Sequence, residues 1–246
     1  MIEADPVLGK PLANYPSNRQ GPLLVAALVC AAAAVLLNFT LAAVPEWWGP
    51  TLTMVLMALL VLAFGWYIVH IWNREVILYE HGFSYREGSN TVYFTYGEIK
   101  SVRQRAERLR YFGGLWRRDV YQISVRTMRD EVITLSSMYR RVDELGLRLE
   151  KQFNTVRRPV VEEMLKRGES VPFGAALALT ANGLTFDQHR LAWAEFAGFR
   201  AQGGRLLLLQ KPAQEWQSLP LDEIDNLLLL LDFLRAAQPT GGVSAS

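Results

Sequence analysis

Two apolar runs near the start constrain this chain more than anything that follows. Leu23 to Val44 and Thr51 to Trp72 are almost unbroken hydrocarbon, and only Pro45-Glu46-Trp47-Trp48-Gly49-Pro50 separates them. A helix rises about 1.5 Å per residue and the hydrocarbon layer of a bilayer is about 30 Å thick, so each run is long enough to cross once. With so short a linker the two runs predict a membrane hairpin over 23–72. A cleaved signal peptide ending near Ala42-Ala43 is the competing reading. A signal peptide has a shorter apolar core and a positive start, and a second apolar run follows at once, so retention is expected. Lys10 and Arg19 precede the pair, Arg74 and Arg86 follow it, and the linker holds neither Lys nor Arg. By the positive-inside rule the expected location is the cell membrane, crossed twice, with both termini cytoplasmic. Neither run contains Asp, Glu, Lys or Arg. The pair therefore reads as an anchor, and Asn38 and Thr40 as polar groups bonding across the helices.

Charge then excludes one class of function. The formal net charge is +2 over 246 residues, so the chain as a whole is not expected to bind nucleic acid. The single cysteine, Cys30, lies inside the first run and has no companion for a disulfide or a zinc site. Residues 1–22, with Pro6, Pro11, Pro16 and Pro22, read as a disordered tail.

After Arg74 the pattern changes to short alternating segments. Strands are expected at Glu75–Tyr79, Phe83–Arg86, Thr91–Thr95, from Ile99 to Ala106, at Val120–Arg126 and at Glu131–Leu135. The period then lengthens: Val142, Leu145, Leu149 and Phe153 predict an amphipathic helix from Tyr139 to Phe153. A second short helix is expected between Pro159 and Gly168. Strands resume from Phe173 to Leu219. A final helix carries Ile224, Leu227, Leu228, Leu231 and Leu234, with Asp222, Glu223 and Asp225 expected at its positive end. The domain reading is hairpin 23–72, first module 74–153, helical connector 154–169, second module 170–237 and a disordered tail 238–246.

The two modules repeat one another. Leu78-Tyr79-Glu80-His81-Gly82-Phe83-Ser84-Tyr85 aligns with Leu179-Thr180-Ala181-Asn182-Gly183-Leu184-Thr185-Phe186. Tyr96-Gly97-Glu98-Ile99 aligns with Trp193-Ala194-Glu195-Phe196, and each half finishes in an amphipathic helix. On these residues, and on Gly168 to Gly174 before the second module, the chain resembles membrane proteins with tandem pleckstrin-homology-like (PH-like) domains, a type common among uncharacterised bacterial proteins. The resemblance implies an α+β architecture in which each module is a bent antiparallel sheet of about seven strands closed by a C-terminal helix. It also implies a membrane-linked scaffold role and no reaction. Phosphoinositide-binding members carry basic residues around the first strand-strand turn. Here those turns are Glu80-His81-Gly82 and Ala181-Asn182-Gly183, which lack them.

One stretch stands out as a candidate site. Arg103, Arg105, Arg108, Arg110, Arg117 and Arg118 are crowded together with Tyr111, Phe112, Leu115 and Trp116. Basic residues interleaved with aromatics suit an anionic leaflet, where each contributes about 1 kcal/mol, or a partner protein. The bland alternative is a solvated loop. His70, His81 and His189 have no metal-ligand spacing, Ser136-Ser137 has no nucleophile context, and no cofactor, metal or small-molecule substrate is expected. The expected function is a non-enzymatic membrane-anchored binding or scaffold protein. Its partners would be the bilayer and a protein partner or a second copy. An accessory or assembly subunit of a membrane enzyme complex, contributing to a shared active site, is the alternative.

Overall fold

The computed structural model describes residues 5–43, 48–111 and 116–238. Two long helices, α1 (Gln20–Ala43) and α2 (Trp48–Trp72), form the apolar pair. Within them, Gln20–Thr40 and Thr51–Trp72 are each long and apolar enough to cross a membrane. Many of their large side chains are exposed, as at Leu24, Phe39, Leu62 and Trp66. Asn38 and Thr40 do not bridge the helices. Asn38 Nδ2 donates to the Ala34 carbonyl at 2.9 Å and Thr40 Oγ1 to the Leu36 carbonyl at 3.0 Å. Each polar group is thus satisfied inside its own helix, the usual back-bonding of such residues.

The remainder is mixed α+β, with every strand pair antiparallel. One sheet contains β1 (Pro11–Pro16), β2 (Glu75–Tyr79), β3 (Gly82–Glu87) and β4 (Asn90–Thr95), in that order. A second contains β5 (Ile99–Tyr111), β6 (Trp116–Thr127) and β7 (Val132–Ser136). The helix α3 (Val142–Lys166) follows. The second half repeats this order with β8 (Val171–Pro172), β9 (Leu177–Thr180), β10 (Gly183–Phe186) and β11 (His189–Ala192) in one sheet. Its other sheet holds β12 (Phe196–Gln202), β13 (Arg205–Gln210) and β14 (Gln214–Pro220), before α4 (Leu227–Ala237).

The N-terminal segment is not the tail its prolines suggested. It is β1, paired with β2 from Pro11↔Tyr79 to Pro16↔Glu75, with Tyr15 only 1 % exposed in the first core. Pro11 and Pro16 stand at the two ends of an edge strand, where a missing N–H costs the ladder least. Leu8, also 1 % exposed, packs on Ile77 and Tyr79. The apolar pair is therefore inserted between the first and second strands of the first module. In the second module the same connection, β8 to β9, needs only Phe173-Gly174-Ala175-Ala176.

The repeat holds at the level of single bonds. Tyr96 N donates to the His81 carbonyl and Trp193 N to the Asn182 carbonyl, both at 3.0 Å. Met128 N reaches the Glu98 carbonyl and Lys211 N the Glu195 carbonyl, both at 2.8 Å. A Cβ on Gly82 would overlap the Phe94 carbonyl oxygen, and one on Gly183 the Leu191 oxygen. Glycine is required twice because the strand after the turn passes against a neighbouring backbone.

Two helix expectations change. The segments on either side of residues 154–158 form a single helix, α3, with Pro159 inside it. Its first half contributes Val142, Leu145, Leu149 and Phe153 to the first core, and Val161 belongs to the second. An interior proline costs about 3 kcal/mol, and burial of both halves offsets it. Pro220, in turn, precedes a 3-10 turn (Leu221–Glu223), and α4 starts only after Asn226. Asp222, Glu223 and Asp225 are therefore not in its first turn, and Asp222 and Asp225 pair with arginines of β5.

Candidate functional site

Three places gather polar or basic groups around the modules. The first is the basic-aromatic stretch. β5 and β6 run further than expected, to Tyr111 and Trp116, so Arg108, Arg110, Tyr111, Trp116, Arg117 and Arg118 lie on strands. Phe112 and Leu115 lie outside the described residues. The last β6–β7 rung is Gln122↔Ser136, after which β5 and β6 continue as a two-stranded ribbon for six rungs, from Ala106↔Tyr121 to Tyr111↔Trp116. At about 3.3 Å per residue that is roughly 20 Å of unsupported ladder. Its direction is fixed by pairing: the ribbon leaves the sheet in the sense in which β7 travels. At the end of β7, Ser17 bridges to Tyr139 and Arg140 N donates to the Pro16 carbonyl at 3.0 Å, beside the start of α1. The rung Arg110↔Arg117 pairs two arginine positions of the ribbon.

Arg103 and Arg105 leave this group. Arg103 Nε is 2.8 Å from Asp225 Oδ1, and Arg105 Nε is 3.5 Å from Asp222 Oδ2. Both arginines thus face the second module, and two of the acids expected to open the last helix, Asp225 and Asp222, are their partners.

The second place is the junction between modules, where α4 begins. Asn226 is held in the left-handed conformation at φ 53°, a region that asparagine tolerates better than most residues. There its N–H donates to the Val102 carbonyl and its Oδ1 accepts from Val102 N, both at 2.8 Å. With its side chain so used, Asn226 does not cap α4. Glu150 of α3 does: its Oε1 accepts from Leu228 N at 2.7 Å, a carboxylate at the positive end of a helix. Its Oε2 accepts from Gln104 Nε2, and Gln104 Oε1 accepts from the Tyr121 hydroxyl. Glu150 is 1 % exposed. Desolvation raises its pKa to about 7 against the opposing pull of the Leu228 and Gln104 hydrogen bonds. Burial likewise pushes the Tyr121 phenol up to about 12. The motif-based reading missed Glu150, Gln104 and Asn226. The one signal was a Glu at the edge of the apolar stripe of α3, beside Leu149.

The third place is the base of the helical pair. Arg19 lies over the Trp72 ring, 4.0 Å from its centroid, and its Nη2 donates to the Trp72 carbonyl at 3.3 Å. Arg74 pairs with Glu87, and its Nη2 stands 2.9 Å from His70 Nε2. The β3–β4 turn at Gly88 thereby lies against the last turn of α2. The histidines remain dispersed, and no group of three His, Cys, Asp or Glu side chains is placed to hold a metal among the described residues. A groove of about 620 Å³ lies between α3 and α4 and is lined mainly by Leu165, Leu179, Trp193, Phe233, Ala236 and Ala237. Glu162 and Lys166 also line it.

Fold and sites together define a two-module α+β chain with an apolar helical pair inserted in its first module. Its polar clusters join parts of the chain to one another. The sequence matches the family DUF6585, a family of unknown function, over residues 2–240, and the chain belongs to that family. No curated protein matches it.

Proposed function

We propose that this is a membrane-anchored, non-enzymatic binding or scaffold protein. In this reading α1 and α2 span the cell membrane, both termini are cytoplasmic, and the two modules are PH-like domains. The first module docks on the anionic inner leaflet through the β5–β6 ribbon, and the remaining surface serves a protein partner. The observation that carries the reading is the insertion point. Both legs of the helical pair enter one β-ladder, Pro16↔Glu75, so the module is held against the bilayer by two connections rather than by a flexible tether. The ribbon leaves the sheet toward that same side, and its strands carry Arg108, Arg110, Arg117 and Arg118. Four strands plus three, followed by a helix whose side chains enter the core, support the PH-like assignment in each half.

The test uses the whole chain, because a fragment beginning at Arg74 lacks β1. Arg108, Arg110, Arg117 and Arg118 are changed together to Ser, and the distance from a ribbon label to the bilayer is measured in discs with and without phosphatidylserine. The ribbon of the parent approaches the anionic bilayer, and added salt or the four substitutions release it. A ribbon equally distant from both bilayers refutes the leaflet contact. Protease digestion of the second module from outside intact cells refutes the topology.

A further inference from the structure

A second loop reaches the base of the helical pair, and its depth is set by the backbone. Asn18 stands two residues before α1, and its N–H donates to the Met138 carbonyl. Arg140 N donates to the Pro16 carbonyl at 3.0 Å, and Ser17 bridges to Tyr139. Residues 137–140 are thus fastened to the chain where it enters α1, whatever the tilt of the helices. Met138 is 40 % exposed there, with Arg74 Nη1 3.7 Å from its sulfur. Arg140 is exposed and Arg19 partly so, and neither has an acidic partner among the described residues. Arg74, by contrast, is matched by Glu87.

We infer that residues 137–140, together with Arg19, form a binding site for anionic phospholipid at the bilayer surface. Met138 enters the boundary between headgroups and acyl chains, and Arg19 and Arg140 take the charged headgroups on either side. Arg19 is suited to this because the Trp72 ring beneath it holds a guanidinium at interface depth, where tryptophan itself is favoured. The site rests on the reading of α1 and α2 as membrane spans. It differs from the ribbon in being fixed by backbone hydrogen bonds, so it needs no rearrangement to meet lipid. The chain supplies its own comparison. Met128 is 50 % exposed at the other end of β7, where its N–H is bound to the Glu98 carbonyl. The five residues of β7 separate the two ends by roughly 15–20 Å.

The experiment uses the full chain in discoidal bilayers of phosphatidylcholine, alone or mixed with phosphatidylserine. Cys30 is changed to Ser, and a small fluorophore is attached through Met138→Cys or, separately, Met128→Cys. Quenching is measured with a nitroxide on the lipid headgroup and with iodide in the water. The expected result is several-fold stronger lipid quenching and several-fold weaker iodide quenching at position 138 than at 128. The lipid contrast should grow with phosphatidylserine and lose that growth when Arg19 and Arg140 are both changed to Ser. Equal responses at the two positions overturn the proposal. So does a position 138 shielded from iodide but not quenched by lipid, which means that protein, such as a second copy, covers it. Insensitivity to phosphatidylserine overturns the anionic assignment. A label on native Cys30 with an acyl-chain nitroxide separates the two levels. If Cys30 is quenched and position 138 is not, only this site fails. An unquenched Cys30 refutes the membrane spans themselves.

Discussion

Replacing Glu150 with glutamine removes one buried charge while keeping the shape of the side chain, and the structure sets the size and sign of the effect. The carboxyl is raised from an ordinary 4.5 to about 7, chiefly because burial penalises the charged form. The folded chain therefore holds this proton more tightly than the unfolded chain does. Stability from this group is fully present below the unfolded value and is lost as pH rises through 7. A shift of that size corresponds to about 3 kcal/mol between the extremes. In Glu150→Gln the new carbonyl oxygen still accepts from Leu228 N. A turn of the Gln104 amide lets its oxygen accept from the new NH2 while its own NH2 faces the Tyr121 hydroxyl, which can accept. Glu150→Gln should therefore equal the parent below about pH 4 and exceed it at pH 8.5, by up to about 3 kcal/mol. Glu150→Ala should lose about 2–3 kcal/mol relative to the parent near pH 4, because two amides are left unpaired, and, with no carboxyl to titrate, should approach the parent at pH 8.5. Denaturant unfolding of the detergent-solubilised full chain across this range measures all three curves, with amide exchange at Leu228 as the local readout. If the glutamine variant keeps the parent's pH slope, the account of the junction is wrong.

Other outcomes follow from single contacts. Asn226→Ala removes the Oδ1 bond to Val102 N and places alanine at φ 53°; a loss of about 2–3 kcal/mol is expected, with Asn226→Gly losing less. Amide exchange at Val102 separates this junction effect from general weakening. Gly183→Ala sets a Cβ into the Leu191 carbonyl oxygen, so yield and melting temperature should collapse, and Gly82→Ala should do the same through Phe94. A normal melting curve for either would mean that the strand-strand approach is looser than described. Deleting residues 5–16 strips β1, Leu8 and Tyr15 from the first module. The first module should then expose its sheet and lose cooperative unfolding, whereas a mere tail would be lost without consequence. Arg103→Ala with Asp225→Ala in a double-mutant cycle should show coupling of about 1 kcal/mol, because the arginine is partly solvent-screened.

The helical pair, most strand positions and the doubled order of elements were readable from period and composition. Local signals decide each of these: continuous apolar runs, alternation, and glycine at a tight turn. What stayed hidden depends on partners distant in sequence. β1 looked like a proline-punctuated tail because its pairing partner lies beyond both apolar helices. Pro159 looked like a helix start because nothing local reveals that the two halves of α3 are buried in different cores. Arg103 and Arg105 looked like members of a basic surface patch, but β5 turns these positions toward Asp225 and Asp222 more than a hundred residues away. Glu150 reads as an ordinary solvated charge on an amphipathic helix until α4 is seen to begin on top of it. Of the candidate stretch, the sequence located the crowding of charge. The register that opposes Arg110 to Arg117 comes from pairing alone.

The insertion of α1 and α2 between β1 and β2 also has a mechanical consequence. Two antiparallel strands whose adjacent ends are each fixed to one helix are loaded like a zipper when those helices move apart sideways. The rung Pro16↔Glu75 takes the load first and Pro11↔Tyr79 last. Lateral separation of the two legs is thus converted into stepwise opening of one sheet edge, with Tyr15 drawn from the core as it proceeds.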